Sequence, residues 1–272
     1  MTNIKYKYAQ AKSLLLTLRD FKNAILIILL RIGLIEIPYF PYRFLFNGKE
    51  ILMLGRPTKT SMADLFTIKE VFKYNEYEDL LKLLPNRTLN LVDIGGNLGS
   101  FTIWLHNILG VNKAYLFEPE ADTYKLLRFN LAQNGCDFAT VINAAVGGST
   151  RKVKMRLKKD SPGGSSIYEE GQSQSSAEGF HEIICLAFEE WLESVEGEFD
   201  VLKLDCEGAE WEIMKFSSPE IFKRFRVIVV EVHDDPSGEQ KISDFLISME
   251  SLGYQTMRWD NKPMGIYLGI RK

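Results

Sequence analysis

The chain has 272 residues, enough for one large domain or a domain with an extension. Hydrophobic residues make up 46% and charged residues 25%, with a net charge of −3 and a sequence pI of about 5.8; this is an ordinary globular composition, without the basic field that a nucleic-acid partner calls for. Three scattered cysteines, Cys136, Cys185 and Cys206, lack C-x-x-C spacing, which argues against a disulfide framework or structural zinc and for reduced thiols in a cytoplasmic protein.

Met1 to Ile37 reads as helical, and Pro38 and Pro41 interrupt it. Ala24 to Leu30 is an unbroken apolar run, far short of the ~20 residues a spanning helix needs. No small-residue cleavage site follows it, so a signal peptide is not expected. Two readings stand: a helix buried or packed on a partner, or one resting on a membrane surface, with Lys5, Lys7, Lys12, Arg19 and Lys22 facing lipid headgroups. Arg43 to Leu54 carries Asn47-Gly48 between apolar residues and predicts a hairpin. Ser61 to Leu84 reads as helical and ends at Pro85.

From Leu89 the pattern becomes α/β. Leu89 to Ile94 is strand-like, turns on Gly95 and Gly96, and is followed by a helix over Phe101 to Leu109. A second strand, Lys113 to Glu118, ends in an acid. A strand, a glycine turn, a helix and a second strand ending in an acid form half of a nucleotide-binding unit, in which the acid accepts hydrogen bonds from a ribose diol and the glycines admit close backbone approach. The turn reads Asp93-x-Gly95-x-x-x-Gly99, with Asn97 where a dinucleotide fingerprint has its second glycine. Asp93 would repel a pyrophosphate and attract an ammonium. The chemistry therefore favours S-adenosylmethionine (SAM), which carries an amino group, a sulfonium and a ribose but no phosphate, over NAD.

Further strands are expected at Thr140 to Asn143, Phe199 to Asp205, Arg226 to Val232, Tyr254 to Trp259 and Gly265 to Ile270. Helices are expected at Ala121 to Asn134, Phe188 to Ser194 and Ala209 to Phe216. Such alternation implies parallel strands covered on both faces. Only Asp260 to Pro263 and little else separates the last two strands, so they form an antiparallel edge hairpin. Residues 151–187 interrupt the alternation: two short strands, Arg151 to Leu157 and His181 to Ala187, flank a Gly/Ser-rich polar run through Glu178. That insert is either a disordered excursion or an active-site cover.

Ligands of open α/β sheets sit beyond the carboxyl ends of the strands. Asp93, Glu118, Asn143, Asp205, Glu231 and His233 stand there. Asp205, Glu207 and Glu210 lie within six residues, which is costly unless a cation is close, with Lys203, a sulfonium or a metal as candidates. His233 can act as a base near neutral pH, or join Asp205 around a divalent cation such as Mg²⁺.

These segments resemble the FkbM family of SAM-dependent methyltransferases. The resemblance rests on Asp93-Ile-Gly-Gly-Asn-Leu-Gly99, Phe117-Glu-Pro119, the Asn-rich end of the helix at Leu126 to Asn134, Lys203-Leu-Asp-Cys-Glu-Gly-Ala-Glu210 and Glu231-Val-His233, with Pro57, Thr58 and Ser61 to Tyr77 upstream. Gly96 departs from the alanine usual there. The resemblance implies a Rossmann-like α/β methyltransferase fold, with a mostly parallel seven-stranded sheet, an antiparallel edge hairpin and an N-terminal helical extension. It implies methyl transfer from SAM to a hydroxyl of a sugar or secondary metabolite, and places SAM contacts at Asp93, Gly95, Gly96, Asn97, Gly99 and Glu118; the strand-end position adds Asn143. Asp205 and His233 are the catalytic candidates, acting directly or through a metal. The expected organisation is an extension and hairpin at 1–85 and a methyltransferase domain at 86–272. The expected partner is a small-molecule or glycan acceptor and not nucleic acid, with peripheral membrane contact through the N-terminal helix and a homo-oligomer left open. An NAD-dependent oxidoreductase and a non-catalytic Rossmann-like binding protein are the rival readings.

Overall fold

The structure is a computed structural model describing residues 24–31, 34–35, 37–56, 63–74, 76–156, 166–168, 180–233, 241–258 and 266–271. The basic residues before Ala24, the segment around Pro57 and Thr58, most of the insert's polar run and the turn at 260–263 lie outside them.

A helix, α1 (Ala24–Arg31), precedes a hairpin of β1 (Phe40–Phe46) and β2 (Lys49–Gly55). Asn47 and Gly48 both take positive φ, 48° and 75°, the two left-handed residues that a twist-matched two-residue hairpin turn requires. Helix α2 (Ala63–Phe72) and a 3₁₀ turn (Glu78–Lys82) lead into the sheet.

The sheet has seven strands: β3 (Leu89–Ile94), β4 (Val111–Phe117), β5 (Ala139–Ile142), β10 (Phe199–Leu204), β11 (Phe225–Glu231), β12 (Tyr254–Arg258) and β13 (Ile266–Arg271), in the order β12-β13-β11-β10-β3-β4-β5. The five strands from β11 to β5 pair in parallel, and β13 runs antiparallel to both β11 and β12. Strand β10 is buried along its whole length, as a central strand covered on both faces must be. The helices α3 (Ser100–Ile108), α4 (Ala121–Gln133), α5 (Phe188–Glu193), α6 (Glu210–Phe216), α7 (Pro219–Phe222) and α8 (Ile242–Ser251) supply the covers.

Two apolar clusters result. One gathers Phe40, Tyr42, Met53, Ile68, Leu91, Trp104 and Leu127, so the hairpin and α2 share a core with α3 and α4. The other holds Val92, Phe117, Phe188, Leu202, Ile228 and Phe245 on the opposite face.

The insert, with the short strand just before it, forms a second sheet. Strands β6 (Ala145–Gly147), β7 (Arg151–Arg156), β8 (Ser166–Tyr168) and β9 (Phe180–Ala187) lie in the order β6-β9-β7-β8. The sequence reading has β7 and β9, and lacks β6, β8, α7 and α8. For α8 a signal was present: Phe245 and Met249, one turn apart, are both buried, and Asp244 accepts from the Lys241 amide at 2.9 Å to close the first turn.

Candidate cofactor and active site

A cleft whose empty space, counting the open solvent at its mouth, is about 680 Å³ lies at the carboxyl ends of β3, β4 and β10. Its apolar wall includes Phe117 at the end of β4, Ala144 to Val146, and Met155 of β7. Strand β7 of the insert, with the segment that leads into it, therefore builds one side of the cleft.

Glu118 follows β4 and lines this cleft, almost fully buried. Its Oε2 accepts from the Asn97 amide at 3.1 Å and its Oε1 from the Glu120 amide at 2.9 Å. Each oxygen is held by one donor, and a carboxylate oxygen can accept two. These two bonds leave one acceptor position on each oxygen unused. Burial pushes the Glu118 carboxyl up to about 7, against the pull of those two amides.

The glycines explain themselves by protein packing. A Cβ on Gly95, whose φ is +81°, would stand 1.8 Å from the Asp205 carbonyl oxygen. One on Gly99 would meet the Leu127 side chain at 2.9 Å, and one on Gly96 would meet it at 3.2 Å. Of the three, only Gly95 borders the cleft; the other two let α4 close on the turn. Asn97 also borders it, in a left-handed conformation that asparagine tolerates, with its Oδ1 buried and, among the described residues, lacking a hydrogen-bond partner.

Asp93 is placed differently from the sequence expectation. It is completely buried inside the sheet, accepts from Thr102 Oγ1 at 2.8 Å, and does not reach the cleft. Burial raises its pKa. Among the described residues no donor lies within hydrogen-bond distance of its other oxygen, which stands 3.6 Å from the ammonium of Lys203, the residue beside it in the β3–β10 register. Asn143 is also displaced from its expected role: its amide donates to the Glu118 carbonyl at 2.8 Å and to that of Pro119 at 3.1 Å, bracing the loop behind the acid.

Lys203 is the buried hub. Its ammonium lies 3.0 Å from Asp205 Oδ2 and 3.4 Å from the Gly95 carbonyl. Burial works to lower its pKa, but Asp205 and Asp93 outweigh burial and hold it well above the usual lysine range. Asp205 lines the cleft, and its side chain is 31% exposed.

The turn after Asp205 is strained. Glu207 takes a φ of +56°, where a side chain costs ~1–2 kcal/mol, and it lines the cleft. Glu210, fully buried, clamps this turn by accepting from the amides of Cys206 at 2.8 Å and Gly208 at 2.9 Å. Burial pushes the Cys206 thiol well up, which leaves it without thiolate character.

His233 is not the free base that the sequence suggests. Its Nδ1 stands 3.0 Å from Glu210 Oε1, and its Nε2 stands 4.0 Å from Glu207. Burial acts to lower its pKa, yet Glu210, Asp205 and Glu207 carry it up to about 9. At neutral pH it holds its proton. The divalent-cation reading fares no better: among the described residues no group of three His, Cys, Asp or Glu side chains has metal-binding geometry, because Asp205 faces Lys203 and His233 faces Glu210.

The profile of the Methyltransferase FkbM domain matches residues 93–256, well over half of the chain. The chain belongs to the FkbM methyltransferase family. Two fungal relatives agree. "Methyltransferase sdnD" of Sordaria araneosa is 27% identical over 222 residues, covering 71% of this chain and 84% of its own length. "Methyltransferase 1" of Beauveria bassiana (strain ARSEF 2860) is 23% identical over 200 residues, covering 67% of this chain and 80% of its own length. A crystal structure of methyltransferase FkbM from Methylobacillus flagellatus KT is 14% identical with a TM-score of 0.47; the match covers 67% of this chain and 43% of that one, so this chain spans less than half its length.

In this FkbM-family chain, three of the seven expected cofactor positions line the cleft: Gly95, Asn97 and Glu118. Sequence reasoning missed Glu120, Thr123, Met155 and Val146, which line it too. Glu120 and Thr123 had a signal, a capping acid at the start of α4 just beyond the recognised strand end. Met155 had none, because the insert's return to the cleft is a tertiary event. Among the described residues no helix is long and apolar enough to cross a membrane.

Proposed function

We propose that this chain transfers a methyl group from SAM to a hydroxyl of a small-molecule or glycan acceptor. The observation that carries the cofactor half is Glu118: a buried carboxylate at the second strand end, facing the cleft with both oxygens already oriented by backbone amides. The charge of the cleft supports it. Glu118, Glu120, Asp205 and Glu207 line it, and no lysine or arginine does among the described residues. Such a wall disfavours a phosphate and suits a sulfonium and an ammonium. The unpartnered Asn97 Oδ1 is a buried acceptor that a ligand donor would satisfy.

When bound, SAM supplies an electrophilic methyl carbon. The protein's part is then alignment, worth up to ~7–11 kcal/mol, and removal of a proton from the acceptor. Asp205 suits that second task. Lys203 holds its Oδ2, while among the described residues no hydrogen-bond donor reaches its Oδ1. Isothermal titration of SAM into the protein and its Glu118→Gln variant tests the cofactor reading. Glu118→Gln replaces an acceptor-only group and costs about tenfold or more in affinity; equal affinity for both proteins overturns it. Transfer of a labelled methyl group to a panel of sugars and hydroxylated metabolites tests the acceptor class.

A further inference from the structure

The hairpin β1–β2 is fastened to the C-terminal half of α4 and its cap by two asparagines. Asn134 Nδ2 donates to the Leu52 carbonyl at 2.8 Å, and its Oδ1 accepts from the Leu52 amide at 3.3 Å. One helical turn earlier, Asn130 repeats the pattern on Leu54, at 3.0 and 2.7 Å. Four helical residues rise ~6 Å and two strand residues ~6.7 Å, so the two repeats match. Asn130 also donates to the Leu98 carbonyl at 3.0 Å, tying β2 to the turn that carries Asn97.

This registration delivers Arg56, just past the end of β2, to the first turn of α4. Its guanidinium straddles Asp64 of α2, with Nε 3.2 Å and Nη2 3.3 Å from the two carboxylate oxygens. Its third nitrogen, Nη1, donates to Thr123 Oγ1 at 2.8 Å and approaches Glu120 Oε2 at 3.5 Å. Glu120 caps α4 by accepting from the amides of Asp122 and Thr123, and its own amide holds Glu118. Arg56 is thus two hydrogen bonds behind the acid that faces the cleft, and it lies outside residues 93–256 matched by the family profile.

We propose that Arg56 is a positioning residue of the cofactor site, aiming Glu118 through Thr123 and Glu120, and that the N-terminal hairpin is thereby part of the cofactor-binding unit. The proposal rests on the SAM reading above. Electrostatics agree with the geometry. Of the charged groups that act on Glu118, Glu120 raises its pKa and Arg56 lowers it, so Arg56 helps to keep the ribose-facing acid ionised. A mere structural tie between Arg56 and Asp64 would leave cofactor affinity and its pH dependence untouched.

The test uses the full chain, SAM as the probe, and calorimetric affinity from pH 6 to 9 with a thermal midpoint for each variant. Arg56→Met alone would strand the buried Asp64, so it is paired with Asp64→Leu, which removes both charges together. The double variant is expected to fold and to bind SAM about tenfold more weakly at pH 7. Its affinity recovers toward the wild-type value by pH 9, because without the arginine Glu118 ionises at a higher pH. Arg56→Lys keeps the charge and the Asp64 pair but loses the fork that reaches Thr123. It is expected to fold, to keep the wild-type pH midpoint, and to bind SAM a few-fold more weakly. Wild-type affinity and pH midpoint in either folded variant would overturn the proposal. If the wild-type protein itself fails to bind SAM, it is the cofactor reading that falls, not the coupling.

Discussion

His233 decides between two views of the acceptor side, and its protonation makes a measurable contribution to folding stability. Its pKa is carried from 6.5 to about 9 by Glu210, Asp205 and Glu207 against the opposing effect of burial, with its side chain only 12% exposed. At ~1.4 kcal/mol per unit the shift corresponds to about 3 kcal/mol of folding stability. The folded-state value is the higher one. The contribution is therefore complete below pH 6.5 and is lost as pH rises toward 9. His233→Gln removes the titration while leaving an amide able to reach Glu210. The assay is urea unfolding of both proteins between pH 7 and 8.5, taking the difference in unfolding free energy. Glu231, also raised to about 7 by burial and Asp205, is the reason for staying above pH 7. The wild-type advantage should shrink by about 2 kcal/mol across that window. A difference that does not change with pH would mean that Glu210 does not hold a proton on His233, and would return the histidine to the list of bases.

Gly95→Ala places a methyl group on the Asp205 carbonyl and forces a side chain to φ +81°, so it should cost about 3 kcal/mol or more in chemical denaturation and abolish SAM binding. Lys203→Met leaves Asp93 buried without its cation and should cost ~3–5 kcal/mol in the same experiment; a loss under ~1 kcal/mol would show that the pair is not dry. Asp205→Asn keeps the shape of the cleft and removes the charge, so turnover should fall by ~10²-fold or more with a smaller change in SAM affinity. If turnover survives intact, the proton leaves by another route.

The sheet was legible because its strands carry unambiguous local signals. Leu89–Ile94 is apolar, bounded by a charged loop and a glycine turn, and the structure reproduces its limits. Asn47-Gly48 named the hairpin turn for the same reason. The site was less legible because position along a strand says where a side chain starts and not which way it faces. Asp93 and Glu118 both lie near strand ends. Asp93 sits one residue inside β3 and turns into the sheet toward Thr102 and Lys203, whereas Glu118 sits one residue past β4 and faces the cleft. The glycines were read as making room for a ligand, yet what crowds Gly95 is the Asp205 carbonyl and what crowds Gly99 is Leu127. The protonation of His233 was hidden altogether. In the sequence Glu210 stands out only as one of three crowded carboxylates, and only the fold brings its buried carboxylate to the imidazole.

The placement of Lys203 follows from the same distinction between inside and outside. A lysine in the cleft would neutralise Asp205 for any ligand that approached it. Buried between Asp93 and Asp205, the ammonium instead divides its charge between two carboxylates, one of them sealed in the core. Two negative charges against one positive leave a net negative charge, and Asp205 is the only member of the three with appreciable exposure. The lysine thus fixes where Asp205 points while leaving the outer face of that carboxylate anionic toward the cleft. Asp93 is required for this even though it never meets the cofactor. Without it the buried ammonium would lose the sealed carboxylate 3.6 Å away, and Asp205, at 3.0 Å, would be left to hold it from the cleft side.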